Sequence, residues 1–326
     1  METRTTNEDH QVMRIAVMGA GGVGGYYGAR LAHAGHDVTF IARGDHLRAL
    51  NAKGLTLRGP ADDIVVSPAH ATDDPSEIAP VDVVLFCVKL FDTEDAARAC
   101  QPLLENGGLC VSLQNGVDGQ HRINAVLGKP VAIGGLAFVS AVIESPGVIR
   151  YVSTSPSIQF GEADGRASER TTRFRDACIA AGFGAEVVPD IRAAQWRKFV
   201  GLTTNAALTS LARQPAGVVY HDPDLLALAR AGFSEAAAVA KAAGVELPVD
   251  FVEQNVEKHR KFPAGMYASM YHDLARGRRL ELESLSGLIV REGREHAIPT
   301  PFHAFAYACL KPYVNGAPAA PVERTS

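Results

Sequence analysis

Apolar residues in the first half of the chain gather into short runs, at residues 15–18, 38–42 and 81–89, the last ending at Lys89. A mostly apolar run of that length suits a parallel strand buried on both faces. Between the first two lies a small-residue stretch that reads as a helix. After the second, HLRALNAKG predicts a short helix and LTLRGPADDIVVSPAHAT a turn between edge strands. DTEDAARACQPLL then predicts an amphipathic helix, and GGLCVSLQNG a further strand that ends at Asn115-Gly116. Strands alternating with helices imply a doubly wound sheet. Residues 131–188 are more β-rich, and Pro189-Asp190 opens a different pattern. From 190 to about 312 the chain reads almost wholly helical, with breaks at Gly217, residues 244–248, Pro263, Gly277 and Pro299.

The first strand delivers Gly19, Gly21 and Gly24 in G-x-G-x-x-G spacing, inside the stretch Gly19-Ala20-Gly21-Gly22-Val23-Gly24. The first glycine makes the tight strand-to-helix turn. The second lets backbone approach a pyrophosphate, and the third lets helix and strand pack closely. The helix N-terminus offers free N–H groups and a positive dipole end to phosphates. These residues are therefore expected to bind a dinucleotide. At the end of the second strand stands Arg43, where NAD-binding sites usually place a carboxylate for the ribose hydroxyl. A guanidinium pairs with a 2′-phosphate, which points to NADP; an ordinary solvated arginine is the plain alternative. Gly19, Arg43, Lys89 and Asn115 all fall at strand ends, where ligands of such sheets sit. The fold expected is α/β, with an N-terminal Rossmann-type doubly wound sheet over 13–189 and a C-terminal all-helical domain over 190–314. Residues 1–12 read as a disordered leader and 315–326 as a frayed tail.

Length and composition fit this division. A chain of 326 residues is long for one core and suits two domains. It is 47% hydrophobic and 21% charged, with a formal net charge of −4, which argues against a nucleic-acid footprint. No apolar run approaches a membrane span, and the polar start of the chain is neither a secretory signal nor a transit peptide. The five cysteines form no C-x-x-C pair and read as thiols of a reducing cytoplasm. The eleven histidines form no metal-ligand spacing, so no metal is expected.

Residues suited to catalysis stand in the helical half. The stretch 191–212 holds the only tryptophan, Trp196, and Lys198 amid mostly apolar neighbours. An ammonium partly buried beside a cofactor can protonate a carbonyl that is receiving hydride; a lysine snorkelling to water is the alternative. Together with the glycine turn, these residues resemble the ketopantoate reductase (2-dehydropantoate 2-reductase) family, over about residues 13–313. The resemblance implies an NADP-binding Rossmann domain joined to a helical domain, and NADPH-dependent reduction of a 2-oxo acid. The family's W-x-K is Trp196-Arg197-Lys198, which makes Lys198 the implied proton donor. Its N-G is Asn115-Gly116, with Asn115 implied at the substrate and the nicotinamide. Arg43 and Lys89 match its basic pair for the adenosine end. Ser269, in Ser269-Met270-Tyr271-His272-Asp273, is implied on the substrate carboxylate, and Glu281 on the substrate hydroxyl. A carboxylate at a helix start, as expected for Glu281, also needs no substrate to account for it.

One departure bears on the substrate. The family carries asparagines four and eight residues after the lysine, where this chain has Leu202 and Ala206. Asn205 lies about two helical turns from Lys198 and nearly in line with it, and is a candidate to reach the substrate from another height. The resemblance implies a reductase that turns ketopantoate into pantoate, a step of pantothenate biosynthesis. The alternatives are the same chemistry on a less polar 2-oxo acid, or a non-catalytic NADPH sensor. A homodimer is the assembly considered, since the Ala-rich stretch 225–243 suits a subunit contact as well as a core.

Overall fold

The computed structural model describes residues 12–317, which fall into two compact units, one ending at Arg192 and the other beginning at Ala193. The leader and the tail lie outside the described residues except at their inner ends. There Asn315 forms an antiparallel bridge with Arg279, and the Leu280 amide donates to Val314 O at 2.9 Å. Asn315 and Ala317 are thus bonded to the stretch 277–280.

In chain order the strands are β1 (Arg14–Met18), β2 (Asp37–Ile41), β3 (Leu55–Arg58), β4 (Ile64–Val66), β5 (His70–Thr72), β6 (Val83–Phe86), β7 (Leu109–Ser112), β8 (Ala132–Phe138), β9 (Ala141–Ser145), β10 (Val148–Tyr151), β11 (Ser157–Gly161) and β12 (Gly184–Val187). The helices of this unit are α1 (Gly22–His33), α2 (Gly44–Lys53), α3 (Thr93–Cys100), α4 (Gly119–Leu127) and α5 (Glu169–Ala180). Eight strands form one sheet in the order β12-β11-β8-β7-β6-β1-β2-β5. The six from β8 to β5 are parallel, and β11 turns antiparallel to β8. The chain leaves β1 toward β2 and β5 and then crosses to β6 on the other side. That reversal is a topological switch point, which opens a crevice at the carboxyl ends of β1 and β6.

Both faces of the sheet are buried, with a period of two. Ile15, Val17, Val83 and Leu85 enter one apolar cluster with α1 and α5. Ala16, Met18, Val84 and Phe86 enter the other with α3. This burial is why the strands read as mostly apolar runs.

A four-stranded second sheet, β4-β3-β10-β9, departs from the expectation of edge strands joined by a turn. Leu55, Leu57, Ile64 and Ile149 from its strands pack into the α1 cluster. Gly25 of α1 makes room for it, since a Cβ there would lie 2.8 Å from Ile149 Cγ1. Arg30 of α1 fastens the β3–β4 loop through a bidentate bond to Asp62, with the Tyr151 hydroxyl 3.1 Å from Nη2. Helix α5 also lies in the stretch expected to be β-rich, started by a Ser168–Thr171 capping box.

The second unit is helical, as expected: α6 (Ile191–Ala212), α7 (Ala216–Val219), α8 (Pro223–Ala242), α9 (Phe251–Arg260), α10 (Ser269–Ala275), α11 (Ser286–Glu295) and α12 (Pro301–Leu310). The expected break at Gly217 falls inside α7 instead, and the chain turns just before it, with Arg213 at φ 55°. Gly217 serves close packing, since a Cβ there would lie 2.8 Å from Ala264.

Two histidines sit in this helical core. His303 is fully buried, with Nε2 3.1 Å from Gly232 O and Nδ1 3.3 Å from Ser286 Oγ. His259 is packed among the rings of Tyr220, Phe233 and Phe262, with Nδ1 2.7 Å from Asn255 O. Burial pushes both imidazoles down to about 4. Below the ordinary histidine value the unfolded chain therefore binds protons that the folded chain refuses, and stability falls as pH drops from about 6.5 toward 4. His303→Gln should remove roughly 2 kcal/mol of the stability lost between pH 7 and 4.5. Urea unfolding of both proteins at the two pH values measures this, and an equal loss in both would refute it.

Candidate active site

In the first unit the site begins at the turn after β1. Gly19 has φ +96°, and a Cβ there would lie 3.0 Å from Val88 N. At Gly24 a Cβ would lie 2.3 Å from Gly19 O, so only glycine allows the turn and the helix start to close on each other. A Cβ at Gly21 would meet nothing within 4 Å, so the turn has open space above its second glycine. Helix α1 starts at Gly22 with no side chain capping it. Its first N–H groups therefore keep their capacity for a phosphate. These features fit a dinucleotide. Gly22 has a further duty, because a Cβ there would lie 2.1 Å from Ala141 O at the start of β9.

Around this turn the structure arranges the other strand ends. The amides of Gly19 and Ala20 donate to Ile41 O at 3.2 and 3.0 Å, which ties the turn to the end of β2. Arg43 follows two residues later, exposed, as the residue that leads into α2. Lys89 is half-buried beyond β6, and Asn115 is half-buried beyond β7. All four expected positions thus lie at the carboxyl edge of one sheet, on neighbouring strands.

A polar group not singled out from the sequence lies beneath Lys89 and Asn115. Gln114, 5% exposed, donates from Nε2 to Val88 O at 3.1 Å and to Thr93 Oγ1 at 2.9 Å. Its Oε1 accepts from the Ser112 hydroxyl at 3.1 Å, and Thr93 donates onward to Leu90 O at 2.8 Å. A glutamine ending an apolar strand is the only hint the sequence offers.

In the second unit Lys198 lies on α6, half-buried, two residues after the buried Trp196. Helix α6 approaches α9 closely at Gly201, where a Cβ would lie 2.7 Å from Asn255 Oδ1. Burial pushes the Lys198 ammonium down to about 8, and the like charge of Lys258 on α9 adds to the effect. Leu202 is half-buried and Ala206 buried, one and two turns further along α6.

Asn205 is 6% exposed, and its Oδ1 accepts from the Tyr220 hydroxyl at 2.9 Å. That bond gives the amide a place in the helical core, which the angular argument from Lys198 did not foresee. Ser269 is exposed at the start of α10. Glu281 is 8% exposed and precedes a single 3-10 turn, Leu282–Ser284, rather than an α-helix. Among the described residues no group of three or more His, Cys, Asp or Glu is placed to hold a metal, and no helix is long and apolar enough to cross a membrane.

A glycine turn at the switch point of a mostly parallel sheet, followed by a helical unit, defines a class of dinucleotide-binding proteins. Family models narrow it. "Ketopantoate reductase PanE/ApbA" matches residues 15–165 and "Ketopantoate reductase PanE/ApbA C terminal" matches 190–314. The chain belongs to the ketopantoate reductase family, NADP-dependent oxidoreductases that act on CH–OH donors. It is 33% identical to a 2-dehydropantoate 2-reductase of Archaeoglobus fulgidus, over 88% of this chain and 93% of that one. A ketopantoate reductase crystal structure from Ralstonia eutropha JMP134 superposes with TM-score 0.86 at 34% identity, covering 93% of this chain and 98% of that one. D-mandelate dehydrogenase, solved with NADH and anilino(oxo)acetate, shares the fold at TM-score 0.85 and 21% identity, over 93% and 98% of the two chains.

The depressed Lys198 has a thermodynamic consequence. Below pH 8 the folded protein carries a charge that its surroundings resist, and the penalty disappears above the ordinary lysine value of 10.5. Lys198→Met should therefore stabilise the protein by roughly 1–3 kcal/mol at pH 7. Denaturant titration at pH 7 and 10.5 should show the gain shrinking at the higher pH. A loss of stability at pH 7 would contradict this account of the lysine.

Proposed function

We propose that the protein reduces 2-dehydropantoate to pantoate with NADPH, and that Lys198 is the proton donor. The observation that carries this reading is Lys198, half-buried on α6 two residues after Trp196, with its ammonium pushed down by burial to about 8. An acid with such a pKa is protonated at neutral pH yet gives up its proton readily, the poise that general acid catalysis favours. The N-terminal unit is then the NADP-binding domain, with phosphates at residues 19–24 and Arg43 and Lys89 on the 2′-phosphate. When bound, NADPH supplies the hydride that reaches the carbonyl carbon. Lys198 gives its proton to the carbonyl oxygen as negative charge builds there, and the product is the 2-hydroxy acid. The Asn115 amide orients the carbonyl. The Ser269 hydroxyl donates to the substrate carboxylate, and Glu281 accepts from the hydroxyl of the substrate tail.

A second reading keeps this chemistry for a less polar 2-oxo acid. Leu202 and Ala206 favour it, since they offer no hydrogen bond along the face of α6 that carries Lys198. Sites built on hydrogen bonds discriminate strongly, whereas apolar ones discriminate weakly. A reducing cytoplasm suits the five free thiols. A homodimer is the assembly we propose, on the exposed apolar positions Ala227, Leu228 and Ala231 of α8.

The test is NADPH oxidation at 340 nm with ketopantoate, 2-oxoisovalerate and an aryl 2-oxo acid. The first reading expects ketopantoate to be used at a kcat/KM of about 10⁴ M⁻¹s⁻¹ or more. Turnover of another acid alone would establish the second reading. Lys198→Ala should lower kcat by about 100-fold. A change in KM alone would make Lys198 a binding residue.

A further inference from the structure

We infer that Gln114 is a positioning residue for NADPH: its buried carboxamide clamps the segment bearing Lys89 to the strand end bearing Asn115. The inference rests on the reading that Lys89 meets the 2′-phosphate.

Three observations carry it. First, both polar atoms of the Gln114 side chain are engaged, and their bonds span two separate strand ends. Nε2 donates to Val88 O at 3.1 Å and to Thr93 Oγ1 at 2.9 Å, while Oε1 accepts from Ser112 at 3.1 Å. Val88 immediately precedes Lys89, and Gln114 immediately precedes Asn115, so one side chain sets the spacing of both. Second, the network is buried. Gln114 is 5% exposed, Ser112 2% and Thr93 0%. Buried polar groups whose partners are all present rigidify what they join, and losing one leaves a costly orphan. Third, the clamped segment touches the dinucleotide turn. Val88 N lies 3.0 Å from where a Gly19 Cβ would be, so a shift of residues 88–90 meets the first glycine directly.

Neighbouring residues support the same segment. Arg122 of α4 donates from Nη2 to Leu90 O at 2.9 Å and holds Glu94 by two bonds, at 2.7 and 2.9 Å. Gly119 leaves room for the clamp, because a Cβ there would lie 2.7 Å from Gln114 Oε1. The backbone carbonyls of both Val88 and Leu90 are therefore pinned, and Lys89 lies between them. With its backbone held, the lysine needs to order only its own side chain to meet a phosphate.

The test measures binding of NADPH and NADH to Gln114→Met, Lys89→Ala and the double variant by titration calorimetry, with thermal melts alongside. Gln114→Met should weaken NADPH by about tenfold more than NADH, and this selective loss should vanish in the Lys89→Ala background. Thr93→Val, which removes one bond of the network and keeps the side-chain shape, should move selectivity the same way by a smaller factor. Equal weakening of both cofactors, or a lowered melting temperature with selectivity intact, would overturn the positioning role. Failure of the underlying reading shows separately, as unchanged selectivity in Lys89→Ala alone.

Discussion

Backbone closeness at the end of β1 is the constraint on which the rest of the N-terminal unit depends. Gly24 packs so tightly under the Gly19 carbonyl that a methyl group would sit 2.3 Å from the oxygen. The same turn presses on Val88 and is hung from Ile41 O by two amides. Three strand ends are thereby brought to one point, and a helix begins there with its N–H groups uncapped. A second sheet reaches the same place, through the contact of Gly22 with Ala141 O. Substituting any of these glycines would do more than alter a binding loop, because each also sets the distance between layers.

The helical unit solves a different problem, that of holding an ammonium where it is not comfortable. Helix α6 is buried along much of its length, and two of its three threonines bond within it: Thr204 and Thr209 donate to the carbonyls four residues back, at 3.1 and 2.8 Å. Such internal bonds satisfy hydroxyls without external partners. Gly201 lets α9 approach, and the approach brings Lys258 near enough to oppose the charge on Lys198. A depressed lysine destabilises the fold that contains it, and that strain is expected at sites shaped for chemistry rather than for stability.

The β1–α1–β2 unit was legible in the sequence because its signals are local and agree: mostly apolar runs, glycines at fixed spacing, a small-residue helix. Helix α6 was legible to within its ends for the same reason. The second sheet was not, since its strands have three to five residues each and pair across nearly a hundred positions, β3 with β10. Helix α5 was missed because its polar stretch carries little apolar periodicity. Among site residues, the placing of Gly19, Arg43, Lys89 and Asn115 at strand ends followed from strand order alone. Asn205 did not follow, because a helix buried on most sides gives no angular clue to which sector faces a ligand. Gln114 was missed because a hydrogen-bonded network spanning two loops has no signature in either loop alone.

If Lys198 is the proton donor, as proposed, its buried surroundings set the pH range in which it can act as an acid. The pH dependence of kcat/KM for 2-oxo acid reduction measures this directly in the free enzyme. With Lys198 as the acid, the rate should be level at neutral pH and fall as pH rises through about 8. A profile that stays level to the ordinary lysine value of 10.5 would contradict it.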